Sequence, residues 1–224
     1  DYTKYENRPP LAHQKEAIEK LVRNKKFILA DDMGLGKTAQ MIVAAERLKA
    51  KRILVLCPAT IKINWMREFH KWSNFKKIFI VESKGSISAG DCKIPLDAEV
   101  VIVNYDLVIR PKIKQQLAGM DFTIGIMDEV HYLQSLTSKR TKAVLSKSGI
   151  IWRCEYKWAA TGTFMPNRPK NIYPLVRSLA PYVITPYLNY IEFAYRYCGA
   201  YMGAFGLDDS GCSRPEELGD RLKP

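Results

Sequence analysis

Short apolar runs punctuate the chain at positions 27–30, 53–57, 78–81, 100–103, 122–127 and 158–161. They read as strands, and each gap between them can hold a helix. That alternation predicts an α/β fold with a mainly parallel sheet covered by helices on both faces. After Pro58-Ala59-Thr60, the residues Ile61, Trp65, Phe69 and Trp72 recur at helical spacing, which predicts an amphipathic helix with Thr60 as its N-cap. Its aromatics read as core rather than as a nucleobase platform, and His70 as structural or solvated. A further helix follows Pro9-Pro10, with Leu11, Ile18, Leu21 and Val22 on one side. Gln14 falls on that same apolar side, where a polar amide needs a hydrogen-bonding duty. Reading an adenine edge and capping a neighbouring backbone group are both open to it. Residues 83–95, with Gly85 and Gly90, predict a loop, and from Pro181 onward the periodicity weakens. We therefore divide the chain into a main lobe at 1–180 and an extension at 181–224.

The chemistry concentrates where strands end. Asp32-Met33-Gly34-Leu35-Gly36-Lys37-Thr38 follows the first apolar run and precedes a helix-like stretch from Ala39. Glycines there let backbone N–H groups turn around phosphate oxygens, and the helix start adds positive dipole. Lys37 would reach terminal phosphates, and the Thr38 hydroxyl would ligate Mg²⁺. Asp31 stands where the general phosphate-loop pattern has its first glycine, so a glycine turn feeding an ordinary helix is the competing reading. The run 122–127 ends in Asp128-Glu129-Val130-His131. A carboxylate at the C-terminal end of such a strand lies where ligands bind. Asp128 could therefore share the magnesium with Thr38, and Glu129 could polarise water. A helix N-cap and its neighbour is the plainer alternative for two acids after a strand.

Composition narrows the class. At 224 residues the chain can bury one sizeable α/β core, and no apolar stretch approaches the ~18 residues needed to span a bilayer. The polar start is neither a signal nor a transit peptide, and without an initiator Met we expect a portion of a longer protein. Five cysteines, Cys57, Cys92, Cys154, Cys198 and Cys212, form no CxxC pair, which favours a reducing compartment over a disulfide framework. The 35 Lys and Arg against 23 Asp and Glu give +12, concentrated around Lys49–Arg52, Lys62–Lys77, Arg110–Lys114 and Lys139–Lys142. A polyanion partner follows naturally, although any one cluster could equally be a solvated helix face.

With the loop, the Asp-Glu-x-His strand end and Thr161-Gly162-Thr163, the chain resembles the first RecA-like lobe of a superfamily 2 helicase-type ATPase. Leu11-Ala12-His13-Gln14, Asp31 to Thr38, Cys57-Pro58-Ala59-Thr60 with Asn64-Trp65, and Ser138-Lys139-Arg140-Thr141-Lys142-Ala143 are similar, more narrowly, to the Swi/Snf family of DNA translocases. Tyr195-Arg196-Tyr197-Cys198, Ser213 to Leu218 and Asn167-Arg168-Pro169 resemble its annealing-helicase, fork-remodelling branch.

The resemblance implies a P-loop NTPase lobe using ATP and Mg²⁺. Gln14 would recognise adenine, Asp32 to Thr38 would bind phosphates, Thr38 and Asp128 would hold Mg²⁺, and Glu129 would activate water. Thr60, Lys62, Asn104, Tyr105 and Lys139 would lie near the backbone of duplex or forked DNA, while His131, Thr161, Gly162 and Thr163 would couple hydrolysis to movement. Phe164 departs from the family's proline after Thr-Gly-Thr. The family places ATP between two such lobes, so a second lobe is an expected partner, and this chain alone is expected to be half of the machine. The implied location is the nucleoid in a bacterium or the nucleus in a eukaryote. A nucleotide- and DNA-binding module without turnover, and an RNA-dependent ATPase of the same superfamily, are the competing functions.

Overall fold

The computed structural model describes residues 5, 9–82, 92–162, 168–187 and 189–222. Its apolar runs join in one six-stranded sheet ordered β1-β6-β5-β2-β4-β3. The strands are β1 (Lys26–Leu29), β2 (Ile53–Cys57), β3 (Ile78–Ile80), β4 (Val100–Asn104), β5 (Ile124–Met127) and β6 (Tyr156–Ala160). Every neighbouring pair is parallel. The period of two decides which face each side chain joins. Leu54, Leu56, Val101 and Val103 enter one apolar cluster, whereas Ile53, Val55, Cys57, Val100 and Ile102 enter the cluster on the other face. Continuous apolar runs, rather than alternating ones, are what a sheet buried on both sides requires.

The covering helices are α1 (Ala12–Arg23), α2 (Lys37–Arg47), α3 (Lys62–Trp72), α4 (Tyr105–Val108), α5 (Pro111–Ala118), α6 (Lys139–Leu145) and α7 (Tyr173–Leu179). Two local expectations need correction. Leu11 caps α1 from outside and is 62% exposed, so the buried stripe consists of Ala17, Ile18 and Leu21. Residues Ala59–Ile61 form a single 3₁₀ turn, which moves the start of α3 to Lys62 and leaves Thr60 exposed with no capping role. The predicted apolar stripe of α3 holds: Trp65 and Phe69 are buried, and His70 is solvated.

One of the basic clusters also changes meaning. Arg52 is structural, its guanidinium donating to the carbonyls of Ala98, Asp121 and Leu96 and tying together the loops before β4 and β5. Lys77 pairs with Asp97 at 2.9 Å. The loop reading for 83–95 falls largely outside the described residues.

Beyond residue 180 come α8 (Pro181–Ile184), α9 (Tyr190–Tyr197), a hairpin of β7 (Tyr201–Gly203) and β8 (Gly206–Asp208), and α10 (Pro215–Leu222). The hairpin was not foreseen. A third apolar cluster joins these elements to α7, with Tyr173 and Val176 packed among Val183, Phe193, Tyr197 and Leu218. Polar bonds fasten it: Asp209 accepts from Lys170 and from the Tyr190 hydroxyl, and Glu217 accepts from Arg196 and Tyr197.

Two tests follow from this packing. A Cβ on Gly125 of β5 would lie 2.3 Å from Ile151 Cδ1 and 2.7 Å from Cys154 Sγ, so Gly125→Ala should lower the urea-unfolding free energy by about 1–3 kcal/mol. An unchanged midpoint would mean that the turn at Ile150–Arg153 yields freely. The Lys170 and Tyr190 bonds hold the Asp209 carboxyl below its usual pKa. A depressed carboxyl stabilises above its unfolded pKa, and that contribution is lost as pH falls through the folded one. Hydrogen exchange in α9 should therefore accelerate below the usual carboxylate range, and Asp209→Asn should remove that acid dependence.

Candidate nucleotide and nucleic-acid site

Because all six strands point the same way, the segments following β1, β6, β5, β2 and β4 emerge along one edge of the sheet. Ligands bind at this edge in open α/β sheets. The phosphate loop, Thr161-Gly162, Asp128, Thr60 and Tyr105 all begin there.

Gly34 and Gly36 have φ of +85° and +79°, a region that side chains avoid. Gly36 is doubly constrained, since a Cβ would approach Gln14 Nε2 to 2.6 Å. The first N–H bonded within α2 is that of Gln40, to the Gly36 carbonyl at 3.0 Å. The N–H groups of Lys37, Thr38 and Ala39 are thus the orphan donors of a helix start. Side chains occupy the loop's carbonyls instead. Lys37 Nζ donates to Asp31 O at 2.8 Å and Asp32 O at 2.9 Å, while Gln14 and Gln40 both donate to Leu35 O, at 3.0 and 2.9 Å. What the loop has left to offer is a set of N–H donors, the chemistry a phosphate needs. Asp32, Met33, Gly34 and Leu35 are exposed, and Thr38 is half-buried.

Of the two readings of Gln14, the capping one is the one the structure shows. Its Oε1 accepts the Leu11 N–H at 2.9 Å, which is the capping duty, and its Nε2 braces the loop. Each end of the amide retains one further hydrogen-bonding position.

Asp128 is the electrostatic centre. Oδ2 accepts from Trp65 Nε1 at 2.8 Å and Oδ1 from the Glu129 N–H at 2.9 Å, while the Tyr105 hydroxyl donates to its carbonyl at 2.7 Å. Burial raises the carboxyl pKa against the Trp65 bond, and the nearby Lys37 ammonium lowers it. The same burial pushes the neighbouring Cys57 thiol up to about 12, leaving it an inert core group. Glu129 does not cap the following turn; it takes the left-handed conformation, φ 51°, and its Oε2 lies 3.1 Å from His131 Nδ1. Such an outlier persists only where its surroundings hold it. They do so in series: His131 leans on Tyr132 at 4.8 Å, and Tyr132 stacks on Tyr105 at 5.7 Å.

Among the described residues, no three His, Cys, Asp or Glu side chains gather into a metal cage. A half-buried carboxylate does suit magnesium, which takes one or two protein oxygens and fills its other positions with water and phosphate.

Thr161 is buried and donates its N–H to Leu29 O at 3.2 Å. Gly162 lies against the phosphate loop: a Cβ there would sit 2.5 Å from Met33 Cγ. Thr163, Phe164 and Asn167 lie outside the described residues. Of the nucleic-acid candidates, Thr60 and Lys139 are exposed, and Lys62 extends Nζ to the Val81 carbonyl at 2.8 Å. Asn104 is 8% exposed. Tyr105 requires correction. Only 1% exposed and bonded to Asp128, it positions the acidic site and offers no surface to a phosphate backbone.

Trp65 and Gln40 escaped the sequence reading. Trp65 was assigned to the core by its helical spacing, yet a buried indole N–H needs an acceptor, and that requirement was the available signal.

The SNF2-related domain pattern matches residues 13–194, and the chain belongs to that family. It is 31% identical over 201 residues to a Xenopus laevis protein named SWI/SNF-related matrix-associated actin-dependent regulator of chromatin subfamily A-like protein 1, covering 88% of this chain and 19% of that one. Over 219 residues it is 30% identical to the mouse DNA annealing helicase and endonuclease ZRANB3, covering 93% and 20%. The chain thus spans about a fifth of the length of these relatives. The Sulfolobus solfataricus SWI2/SNF2 ATPase core in complex with dsDNA superimposes with a TM-score of 0.68 at 24% identity, covering 84% of this chain and 38% of that one. This match establishes the lobe's fold. Family membership in turn implies ATP as the nucleotide.

Trp65→Phe keeps the packing and deletes the N–H on Asp128. Hydrogen bonds to charged groups contribute about 1.5–3 kcal/mol, so Mg²⁺-dependent ATP binding should weaken by roughly ten- to a hundredfold in calorimetry while Mg²⁺-free binding holds. Equal weakening in both would assign Trp65 to packing alone.

Proposed function

We propose that this chain is the ATP-binding lobe of a DNA-dependent ATPase that couples hydrolysis to movement along duplex DNA. The carrying observation is the convergence, on one sheet edge, of a phosphate loop with occupied carbonyls, a buried carboxylate and a glycine seated on Met33. The loop N–H groups and Lys37 bind the terminal phosphates, and Gln14 turns its remaining amide positions to adenine. Thr38 and Asp128 would hold Mg²⁺, which would supply charge neutralisation across the phosphates. Glu129, oriented by His131, accepts a hydrogen bond from the attacking water and polarises it. Met33 and Gly162 are in contact, so a shift of the phosphate loop presses on the segment after β6; with Thr161, and with Thr163 beyond the described residues, this is the coupling path we assign. Thr60, Lys62 and Lys139 form the nucleic-acid side of the same edge, with duplex or forked DNA as the partner, while Asn104 lies buried beneath it.

Lys37→Ala should abolish ATP–Mg²⁺ binding. The structure adds a second reason to the loss of charge, because Asp31 and Asp32 would lose the donor that occupies their carbonyls. Calorimetry on the folded variant tests this, and undiminished binding would place the nucleotide elsewhere.

Among the described residues, no arginine hydrogen-bonds Lys37, Asp128 or Glu129. In phosphoryl transfer an arginine supplied across the cleft is worth ~10³–10⁵ in rate, and we assign that residue to a second RecA-like lobe. The 224-residue chain should therefore bind ATP yet turn it over slowly, with little stimulation by duplex DNA. Robust DNA-stimulated turnover would show that the site completes itself, by dimerisation or with an arginine of its own.

A further inference from the structure

Away from the phosphate loop, a groove between α6 and α7 gathers a second concentration of positive charge. The groove, of ≈ 670 Å³, runs between the end of α6, the turn before β6 and the outer face of α7. Lys142, Lys147 and Arg177 line it, and no acidic residue does. All three are exposed, and none has an ion pair among the described residues. This separates them from Lys77, Arg140, Lys170 and Arg196, each of which has a carboxylate partner.

The groove wall is built rather than loose. Trp152 closes one side, its Nε1 donating to Leu145 O at 3.0 Å, and the Ser178 hydroxyl donates to the same carbonyl at 3.3 Å. These bonds tie the end of α6 to α7 and to the turn before β6. Lys26 lies over the Trp152 ring at 4.6 Å, so the aromatic wall itself carries a cation. Unpaired cations crowded into a concave surface repel one another, and an anion relieves that cost.

We infer that this groove is a second binding surface for the sugar–phosphate backbone of a nucleic acid, separate from the ligand edge. The groove shares no lining residue with the phosphate loop, Asp128, Glu129, Thr60 or Lys62, and Lys142 enters it one helical turn beyond Lys139. The spacing of several point charges, without a bidentate fork aimed at one pocket, suits a run of phosphates rather than a single small anion. A second segment of DNA, such as another arm of a branched molecule, could lie here while the first occupies the ligand edge. The inference extends the function proposed above but does not depend on which residues of the ligand edge touch DNA.

The test is the salt dependence of forked-DNA binding by the full 224-residue chain. Each phosphate contact adds about 0.9 to the slope of log K against log salt. The triple variant Lys142→Gln, Lys147→Gln, Arg177→Gln should flatten the slope by about 2.7 and leave ATP–Mg²⁺ binding unchanged in calorimetry. Lys62→Gln at the ligand edge should flatten it by about 0.9, and the two effects should add. An unaltered slope in the folded triple variant overturns the inference. So does a triple variant that loses polyglutamate binding while keeping its DNA slope, which would make the groove a site for acidic protein. If Lys62→Gln changes nothing while the triple variant acts as expected, the ligand-edge contact is wrong and this surface stands.

Discussion

A half-buried carboxylate, that of Asp128, is the constraint on which the site is built. Burial works against ionised Asp128, and three positive or donor groups work for it: the Trp65 indole, the Glu129 amide and the Lys37 ammonium. Each comes from a different part of the chain. For the indole to reach, α3 must pack its aromatic stripe under the end of β5. For the ammonium to be close, β1 and β5 must end on the same edge, which the parallel order of the sheet secures. Electrostatics at this one side chain therefore fixes the relation of α3, the phosphate loop and the strand that follows it.

The phosphate loop solves a related problem by a different route. Its carbonyls, which would repel a phosphate, are taken up by Lys37, Gln14 and Gln40. Gln14 reaches from α1 and Gln40 from α2, so the packing of these two helices sets the shape of the loop between them. Preorganised donors of this kind need no rearrangement when an anion arrives. Glu129 shows the same economy, its left-handed backbone braced by His131, Tyr132 and Tyr105 in turn.

Charge is distributed less simply than a net value of +12 implies. Arg52 spends its guanidinium on three backbone carbonyls, and Arg140 pairs with Asp106. Among the described residues, the cations without a carboxylate partner, Lys139, Lys142, Lys147 and Arg177 included, can meet a polyanion without first breaking an ion pair, with Arg177 lying over the Tyr173 ring at 6.0 Å.

The sequence by itself determined the strands, their parallel arrangement and the ligand-binding edge, because continuous apolar runs and helix-starting glycines are local signals that need no partner to be read. It also singled out Lys37, Thr38, Asp128 and Glu129 as the candidates for the chemistry, since each follows a strand at the position where ligands bind. Only the tertiary structure decided what those residues rest on. Trp65 reads as core at helical spacing, and nothing local says that its N–H ends on Asp128, 63 residues away. The family resemblance places Tyr105 beside the DNA backbone, yet folding buries it under the acidic site. Thr60 reads as a helix cap until a 3₁₀ turn displaces the helix start to Lys62. The β7–β8 hairpin had no legible apolar period, being two three-residue strands with no fully buried residue. Local pattern specifies an element when one face must be buried. Which polar atom meets which across the fold is settled only when distant segments pack, because desolvation then makes every unpaired donor and charge find a partner.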